Sequence, residues 1–288
     1  MILRTRAPGK INLCLYVGPT DPATGLHALV SVMEPLSLAD QLELAPAFAH
    51  SRDDVECDGV EGPNLAADAL ARFREQTGWD GPPVRLRIDK RVPVAAGMGG
   101  GSSDAAAALR LAAHLSGHAP DDVAPSLGSD VPALMRTEPA FVAGTGEEVM
   151  WLDPLPSHAV VVLPSSPGLS AAEVYAEADR LGLPRGEDAL ARRREGVLAS
   201  LDRGELPEPV NDLEDAARSL RPAIDDSLEA LRATGAVHAF VTGSGPTVAG
   251  IYPDDLAARG AVARLRDDHP GAVAATPVDA GFGEVRVA

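Results

Sequence analysis

Two α+β domains are what the sequence predicts, on three observations. The chain has 288 residues, more than a single hydrophobic core ordinarily serves. Strand-like and helix-like segments come in clusters and do not strictly alternate, which argues against a doubly wound parallel sheet. The stretch Trp151-Leu152-Asp153-Pro154-Leu155-Pro156 carries two prolines and reads as a junction, so the expected domains are 1–153 and 154–288.

The elements follow in order. Residues 10–17 form an apolar strand, closed by the turn cluster Gly18-Pro19-Thr20-Asp21-Pro22. Two further strands are expected at 30–38 and 41–45. A helix spans 64–75, with Leu65, Ala69 and Phe73 on one face. In 84–89, Val84, Leu86 and Ile88 alternate with Arg85, Arg87 and Asp89, the pattern of a half-buried strand. After a glycine-rich loop comes an alanine-rich helix over 103–115. Beyond the junction, 159–163 is a short buried strand, and helices are expected at 171–181, 188–202, 213–220 and 224–233. Strands at 236–241 and 248–252 flank a glycine turn. A helix at 254–267 and strands at 272–276 and 284–288 close the chain.

Composition narrows the function. The 25 Lys and Arg residues against 42 Asp and Glu leave a net charge of −17, which repels nucleic acid and anionic membranes. The run Arg192-Arg193-Arg194 is flanked by Glu187, Asp188 and Glu195 and reads as a solvated helix face. No apolar run reaches membrane-spanning length; the most apolar helix, near 105–115, is interrupted by Arg110. The N-terminus has charges but no apolar segment of a secretory signal. Cys14 and Cys57 fit neither a disulfide framework nor a zinc site, so a cytoplasmic protein, monomeric or a weak homodimer, is expected. Aromatics make up only 3% of the chain, so an aromatic placed away from the aliphatic core points to a ligand.

The chemistry concentrates in Pro93-Val94-Ala95-Ala96-Gly97-Met98-Gly99-Gly100-Gly101-Ser102-Ser103-Asp104, between a strand and a helix. Glycines let backbone N–H groups converge on one point and admit a phosphate without Cβ clashes. The following helix adds free N–H groups and the positive end of its dipole. Ser102 and Ser103 add hydroxyls, and one of them is expected to cap the helix. This is a polyphosphate cradle but not a Walker loop, since no Gly-Lys-Ser/Thr ends it, nor a dinucleotide fingerprint. Asp104 complements the helix dipole and is expected to point away from the phosphate.

At these residues the chain resembles the GHMP kinase superfamily. Ala7-Pro8-Gly9-Lys10-Ile11-Asn12-Leu13 is similar to its first motif, residues 93–106 to its second, and Thr242-Gly243-Ser244-Gly245-Pro246-Thr247 to its third. Within the superfamily, several stretches resemble the branch that phosphorylates a cytidyl-diphosphate-linked polyol in non-mevalonate isoprenoid precursor synthesis. They are Leu127-Gly128-Ser129-Asp130-Val131-Pro132, Gly144-Thr145-Gly146-Glu147, Asn64-Leu65, Lys90-Arg91-Val92-Pro93 and Asn211-Asp212-Leu213-Glu214. The resemblance implies an N-terminal domain like domain 2 of ribosomal protein S5 on a ferredoxin-like C-terminal domain, the last strand often returning to the first.

It also implies ATP as phosphoryl donor, with Mg²⁺ held chiefly by phosphates and water, with Ser103 as a protein oxygen. Asp130, a turn residue on its own evidence, becomes the catalytic carboxylate, and Lys10 its partner. Asn64, Lys90 and the cradle Pro93–Ser103 would take ATP. Asn12, His27, Ser170, Tyr175, Gly243, Ser244 and Gly245 would take the substrate, with Tyr175 under the cytosine. Leu26 stands where the branch usually carries a tyrosine against the base, and the segment over 119–126 is shorter than usual. A mevalonate-type or homoserine kinase is the alternative within the superfamily. A non-catalytic nucleotide- or RNA-binding protein is the alternative outside it, disfavoured by the net charge and by intact Lys10 and Asp130.

Overall fold

The computed structural model describes residues 1–22, 24–47, 52–60, 62–120 and 122–288. Two long strands organise the first half: β1 (Leu3–Thr20) and β2 (His27–Pro46), antiparallel over almost their whole length. They are joined by β3 (Asp54–Cys57), helix α1 (Leu65–Thr77), β4 (Val84–Asp89), helix α2 (Gly100–Ser116), β5 (Ala140–Gly144) and β6 (Glu148–Trp151). The early half of β2 pairs β5, its late half pairs β4, and β3 lies parallel on β4. Helices α1 and α2 cover one face of this sheet. Ala105, Ala106, Ala107 and Ala108 are buried there with Leu42, Leu44, Leu70, Phe73 and Leu86. Small residues let a helix lie close to the sheet, which is why so few aromatics suffice.

The second half is a four-stranded antiparallel sheet, β7 (Ala159–Leu163), β8 (His238–Val241), β9 (Val248–Tyr252) and β10 (Val273–Ala275), in the order β10-β7-β9-β8. Helices α3 (Ala171–Leu181), α4 (Glu187–Asp202), α5 (Glu214–Leu220) and α6 (Ile224–Ala233) connect β7 to β8, and α7 (Asp255–Leu265) connects β9 to β10. That order and connectivity are ferredoxin-like, with extra helices in the first crossover. Two apolar clusters run from one sheet into the other, one joining Ile11, Val30 and Val32 to Val160, Val162 and Phe240. The last strand, β11 (Arg286–Val287), returns to pair antiparallel with β1.

Several sequence expectations need correction. The strands expected at 30–38 and 41–45 are one strand, β2. Between them Asp40 is fully buried inside the sheet as the counter-ion of Lys90, so the strand runs through without a break. The strand expected at 10–17 extends from Leu3 to Thr20, carried through Pro8 and Gly9 by a register shift. Helix α2 starts at Gly100, not at 103. The short strands β3, β5 and β6 were not foreseen. The arginine run on α4 is more than a solvated face: Arg193 lies over the Tyr16 ring and Arg194 over Phe141, with Arg194 also paired to Glu148 at 2.7 Å. No helix among the described residues is long and apolar enough to cross a membrane.

Candidate active site

The glycine-rich loop is held from three sides. The Lys10 N–H donates to Met98 O at 2.8 Å, tying the loop to β1. Gly97 has φ +74°, and a Cβ there would lie 2.6 Å from Thr242 O; Gly243 has φ +58°, and a Cβ there would lie 2.6 Å from Gly97 O. The second and third motifs thus interlock backbone to backbone, at a separation only glycine permits. Asn211 secures the third motif, its Nδ2 donating to Val241 O at 2.6 Å and Gly243 O at 2.8 Å.

Gly99, with φ +65°, is the N-cap of α2, and no side chain caps the helix. Neither Ser102 nor Ser103 caps it, contrary to expectation; both lie inside its first turn. The free N–H groups therefore stay available to an anion. Ser103 Oγ is buried and has no partner among the described residues. A cavity of about 350 Å³ opens here, lined by Asn64, Lys90, Pro93, Val94, Ala95, Ala96, Gly97, Met98, Gly99, Gly100, Gly101 and Ser102, with Cys57 and Asp104. Every residue expected to hold ATP lines it except Ser103.

Two of these side chains have structural work already. Asn64 is the N-cap of α1 and accepts the Ala66 N–H at 2.9 Å. Lys90 Nζ sits between Asp40 Oδ2 at 2.5 Å and Asp104 Oδ2 at 2.8 Å. Asp40 Oδ1 accepts the N–H groups of Arg91 and Val92, so this triad fixes the entrance to the loop. Asp104 pairs with Lys90 at 2.8 Å while still lining the cavity. Burial, with the charge of Asp40 adding, holds its carboxyl well above the usual carboxylate range against the pull of Lys90.

Across the cradle, Lys10 Nζ lies 3.4 Å from Asp130 Oδ2 and donates to Asn12 Oδ1 at 2.6 Å. Both reach the start of α2: a Cβ on Gly99 would lie 3.0 Å from Lys10 Cε and 3.5 Å from Asp130 Oδ2. Asn12 is buried on β1; its N–H donates to Thr242 Oγ1 and its Nδ2 to Ser31 Oγ, which in turn donates to Cys14 O. Asn12 is therefore locked from three directions and not loose on a solvent face. His27 and Tyr175 stack, with ring centroids 5.2 Å apart and planes 22° from parallel. His27 Nδ1 lies 2.9 Å from Gly18 O and Nε2 3.3 Å from Asp179 Oδ1. Burial and the charge of Asp130 push the Tyr175 phenol up to about 12, which puts this stack on the Asp130 side of the cradle. Leu26 is half exposed beside them, 51% open to solvent, and Ser170 is exposed at the start of α3. Ser31, Asp40 and Asp179 were missed in the sequence, and Thr242 and Asn211 stood inside recognised motifs without being given a role. Asn211 had a visible signal, its place in the Asn-Asp-Leu-Glu stretch.

A helix-start anion cradle facing a Lys–Asp pair, at the seam of two α+β sheets, defines a kinase of small molecules. The family model for the GHMP kinases N terminal domain matches residues 64–133, and that for the GHMP kinases C terminal matches 189–271. A 4-diphosphocytidyl-2-C-methyl-D-erythritol kinase of Anaeromyxobacter dehalogenans is 39% identical over 96% of this chain and 90% of its own. Another, from Methylorubrum extorquens, is 40% identical over 94% and 96%. A crystal structure of 4-(cytidine 5'-diphospho)-2C-methyl-D-erythritol kinase superposes with TM-score 0.78 at 31% identity, covering 95% of this chain and 98% of that one. A homoserine kinase from Cytophaga hutchinsonii, TM-score 0.71 at 15% identity, shares the fold. The chain belongs to the GHMP kinases and, within them, to the family of 4-diphosphocytidyl-2-C-methyl-D-erythritol kinases.

Proposed function

We propose that the protein transfers the γ-phosphoryl group of ATP to the 2-hydroxyl of 4-diphosphocytidyl-2-C-methyl-D-erythritol, a step of non-mevalonate isoprenoid precursor synthesis. The observation that carries this reading is the Lys10–Asp130 pair at 3.4 Å between the cradle and the His27–Tyr175 stack. The γ-phosphate lies over the start of α2, and the cytosine lies against Tyr175, with His27 at its edge. Of the residues expected on the substrate side, Ser170 and Ser244 keep exposed surface, whereas Asn12, Gly243 and Gly245 are buried and act by holding Lys10 and the glycine-rich loop.

Phosphoryl transfer needs alignment and charge stabilisation more than covalent help. The substrate oxygen attacks the γ-phosphorus in line, the bond to the β–γ bridging oxygen breaks, and ADP leaves. In a loose transition state the hydroxyl proton departs late, so Asp130 accepts it as the P–O bond forms. Lys10 orients Asp130 and offsets charge on the transferring group. Asn12, fixed by Thr242 and Ser31, holds Lys10 in that position.

Mg²⁺ fits the residues present in a limited way. Among the described residues no cluster of three His, Cys, Asp or Glu side chains stands ready for a metal, so the nucleotide's own phosphates would supply most ligands. The unpartnered Ser103 Oγ is the protein oxygen that fits it. The bound ion would neutralise phosphate charge during transfer. The family-model matches fall on either side of the passage from β6 to β7, which supports functional halves at 1–153 and 154–288. Two free thiols fit a cytoplasmic enzyme, and the net charge of −17 disfavours a nucleic-acid partner. ADP release measured with 4-diphosphocytidyl-2-C-methyl-D-erythritol, mevalonate and homoserine tests the reading. Turnover is expected with the cytidyl acceptor alone; turnover with mevalonate or homoserine instead would reassign the substrate.

A further inference from the structure

Behind the turn that carries Asp130 lies a second cavity, of about 720 Å³, which the proposed reaction does not use. Its lining includes Arg110 and His114, one turn apart on α2, and Arg136. Among the described residues none of the lining side chains is acidic, in a chain of net charge −17. The rest of the wall is apolar, with Met135, Trp151 and Val285 prominent.

Arg110 is the unusual member. Its Nη1 donates to Leu134 O at 2.9 Å and its Nη2 to Arg6 O at 2.8 Å, and its Nε is shut off from solvent with no partner. No carboxylate among the described residues pairs with it. A partly buried guanidinium with no carboxylate beside it among the described residues is costly, and burial lowers its pKa to about 10. Arg136 lies over the Trp151 ring at 4.3 Å, and its one acidic neighbour, Glu138, is 3.7 Å away. In a protein with acids in such excess, two cations and an imidazole left facing one apolar hollow leave a place for an anion.

We infer that this cavity binds an amphiphilic anion, a phosphate or diphosphate ester with a short hydrocarbon group, its charged end on Arg110, Arg136 and His114 and its apolar end on Met135, Trp151 and Val285. Guanidinium forks match phosphate oxygens in geometry as well as charge. The site is also wired to the reaction centre. Leu134, whose carbonyl Arg110 holds, donates its N–H to Asp130 O at 3.3 Å, and Trp151 Nε1 donates to Ala133 O at 3.3 Å. An occupant held by Arg110 and Trp151 therefore touches the same backbone that carries Asp130.

The test uses the whole enzyme with its nucleotide and substrate sites filled by a non-hydrolysable ATP analogue and the cytidyl substrate, so that the cradle cannot take the probe. Pentyl diphosphate, inorganic diphosphate and pentanol are titrated by calorimetry. Pentyl diphosphate is expected to bind saturably and at least ten-fold more tightly than inorganic diphosphate, with pentanol silent. Arg136→Gln and His114→Ala, both at exposed positions, are expected to weaken it at least five-fold each while melting temperature and basal turnover stay unchanged. Absence of saturable binding, or equal affinity in both variants, overturns the site. Equal affinity for inorganic and pentyl diphosphate overturns its amphiphilic character. Because binding is read without turnover, these outcomes stand apart from any failure of the kinase assay.

Discussion

Asp130 and Tyr175 show how differently two residues of one site declare themselves. Asp130 sits in a contiguous Gly-Ser-Asp-Val-Pro stretch, so its resemblance was legible, while its pairing with Lys10 came only with the fold. Asp130→Asn keeps the shape and removes charge and basicity. We expect kcat to fall by about 10²–10⁴ with KM for ATP little changed, as for loss of a general base; near-normal turnover would return Asp130 to the role of a turn residue. Tyr175 was legible from its residues as an aromatic on a helix, which core packing ordinarily explains, and as the aromatic under the cytosine only through the resemblance. The structure packs it on the core cluster and stacks it on His27. On the proposed reading, Leu26, half exposed, adds only dispersion against the cytosine, and Tyr175 would carry most of the base stacking. Tyr175→Ala should weaken the cytidyl substrate roughly ten- to a hundred-fold, the scale of one lost base–aromatic stack, and leave ATP binding alone. Leu26→Tyr should tighten it. Steady-state KM values for both substrates in both variants decide the matter. Asp179 was illegible because nothing local marks it, and Thr242, though inside the third motif, showed no role because its contact with Asn12 spans 230 residues.

Elements read best where their periodicity is local. The alternation of Val84–Asp89 and the apolar run Ala159–Leu163 gave their strands end to end, because in each the burial pattern is set by the neighbouring residues alone. Strand β2 looks like two strands in the sequence because the charged Asp40 interrupts its apolar run, and the partner that lets it be buried, Lys90, lies fifty residues away. The loop-to-helix element invites a paired test. A Cβ on Gly100 would lie 3.1 Å from Val92 Cγ1 and 3.3 Å from Lys90 Nζ, whereas a Cβ on Gly101 meets nothing within 4 Å. Gly100→Val should therefore raise KM for ATP about ten-fold or more, since a branched side chain forces the cradle away from the phosphates, a cost of about 1–3 kcal/mol for overpacking. Gly101→Ala should change both KM and stability by much less. Equal ATP affinity in a folded Gly100→Val protein would remove that backbone from the cradle.

At the scale of the whole molecule, Glu34 on β2 meets His158 at the start of β7, 2.8 Å apart, with both side chains buried where the two sheets join. Burial works to lower the His158 pKa, but the hydrogen bond and charge of Glu34 outweigh it and hold it above the usual imidazole value of 6.5. A raised folded pKa means that the pair's contribution is fully present below pH 6.5 and is lost as pH rises through the folded value. His158→Leu should cost about 3–5 kcal/mol at pH 6, the range for a broken buried pair, and the gap from wild type should narrow toward pH 9. Melting curves of both proteins across that range check it; a gap independent of pH would mean that packing, not charge, holds the seam. The seam was not legible in the sequence, where Glu34 and His158 stand 124 positions apart. The closing strand has a consequence of another kind, in the timing of synthesis. Because Arg286–Val287 pairs with Leu3–Arg4, that end of β1 waits, its edge hydrogen-bonding groups unmatched, until all the chain between the two strands has left the ribosome. During that interval this short edge must be kept from pairing with neighbouring nascent chains.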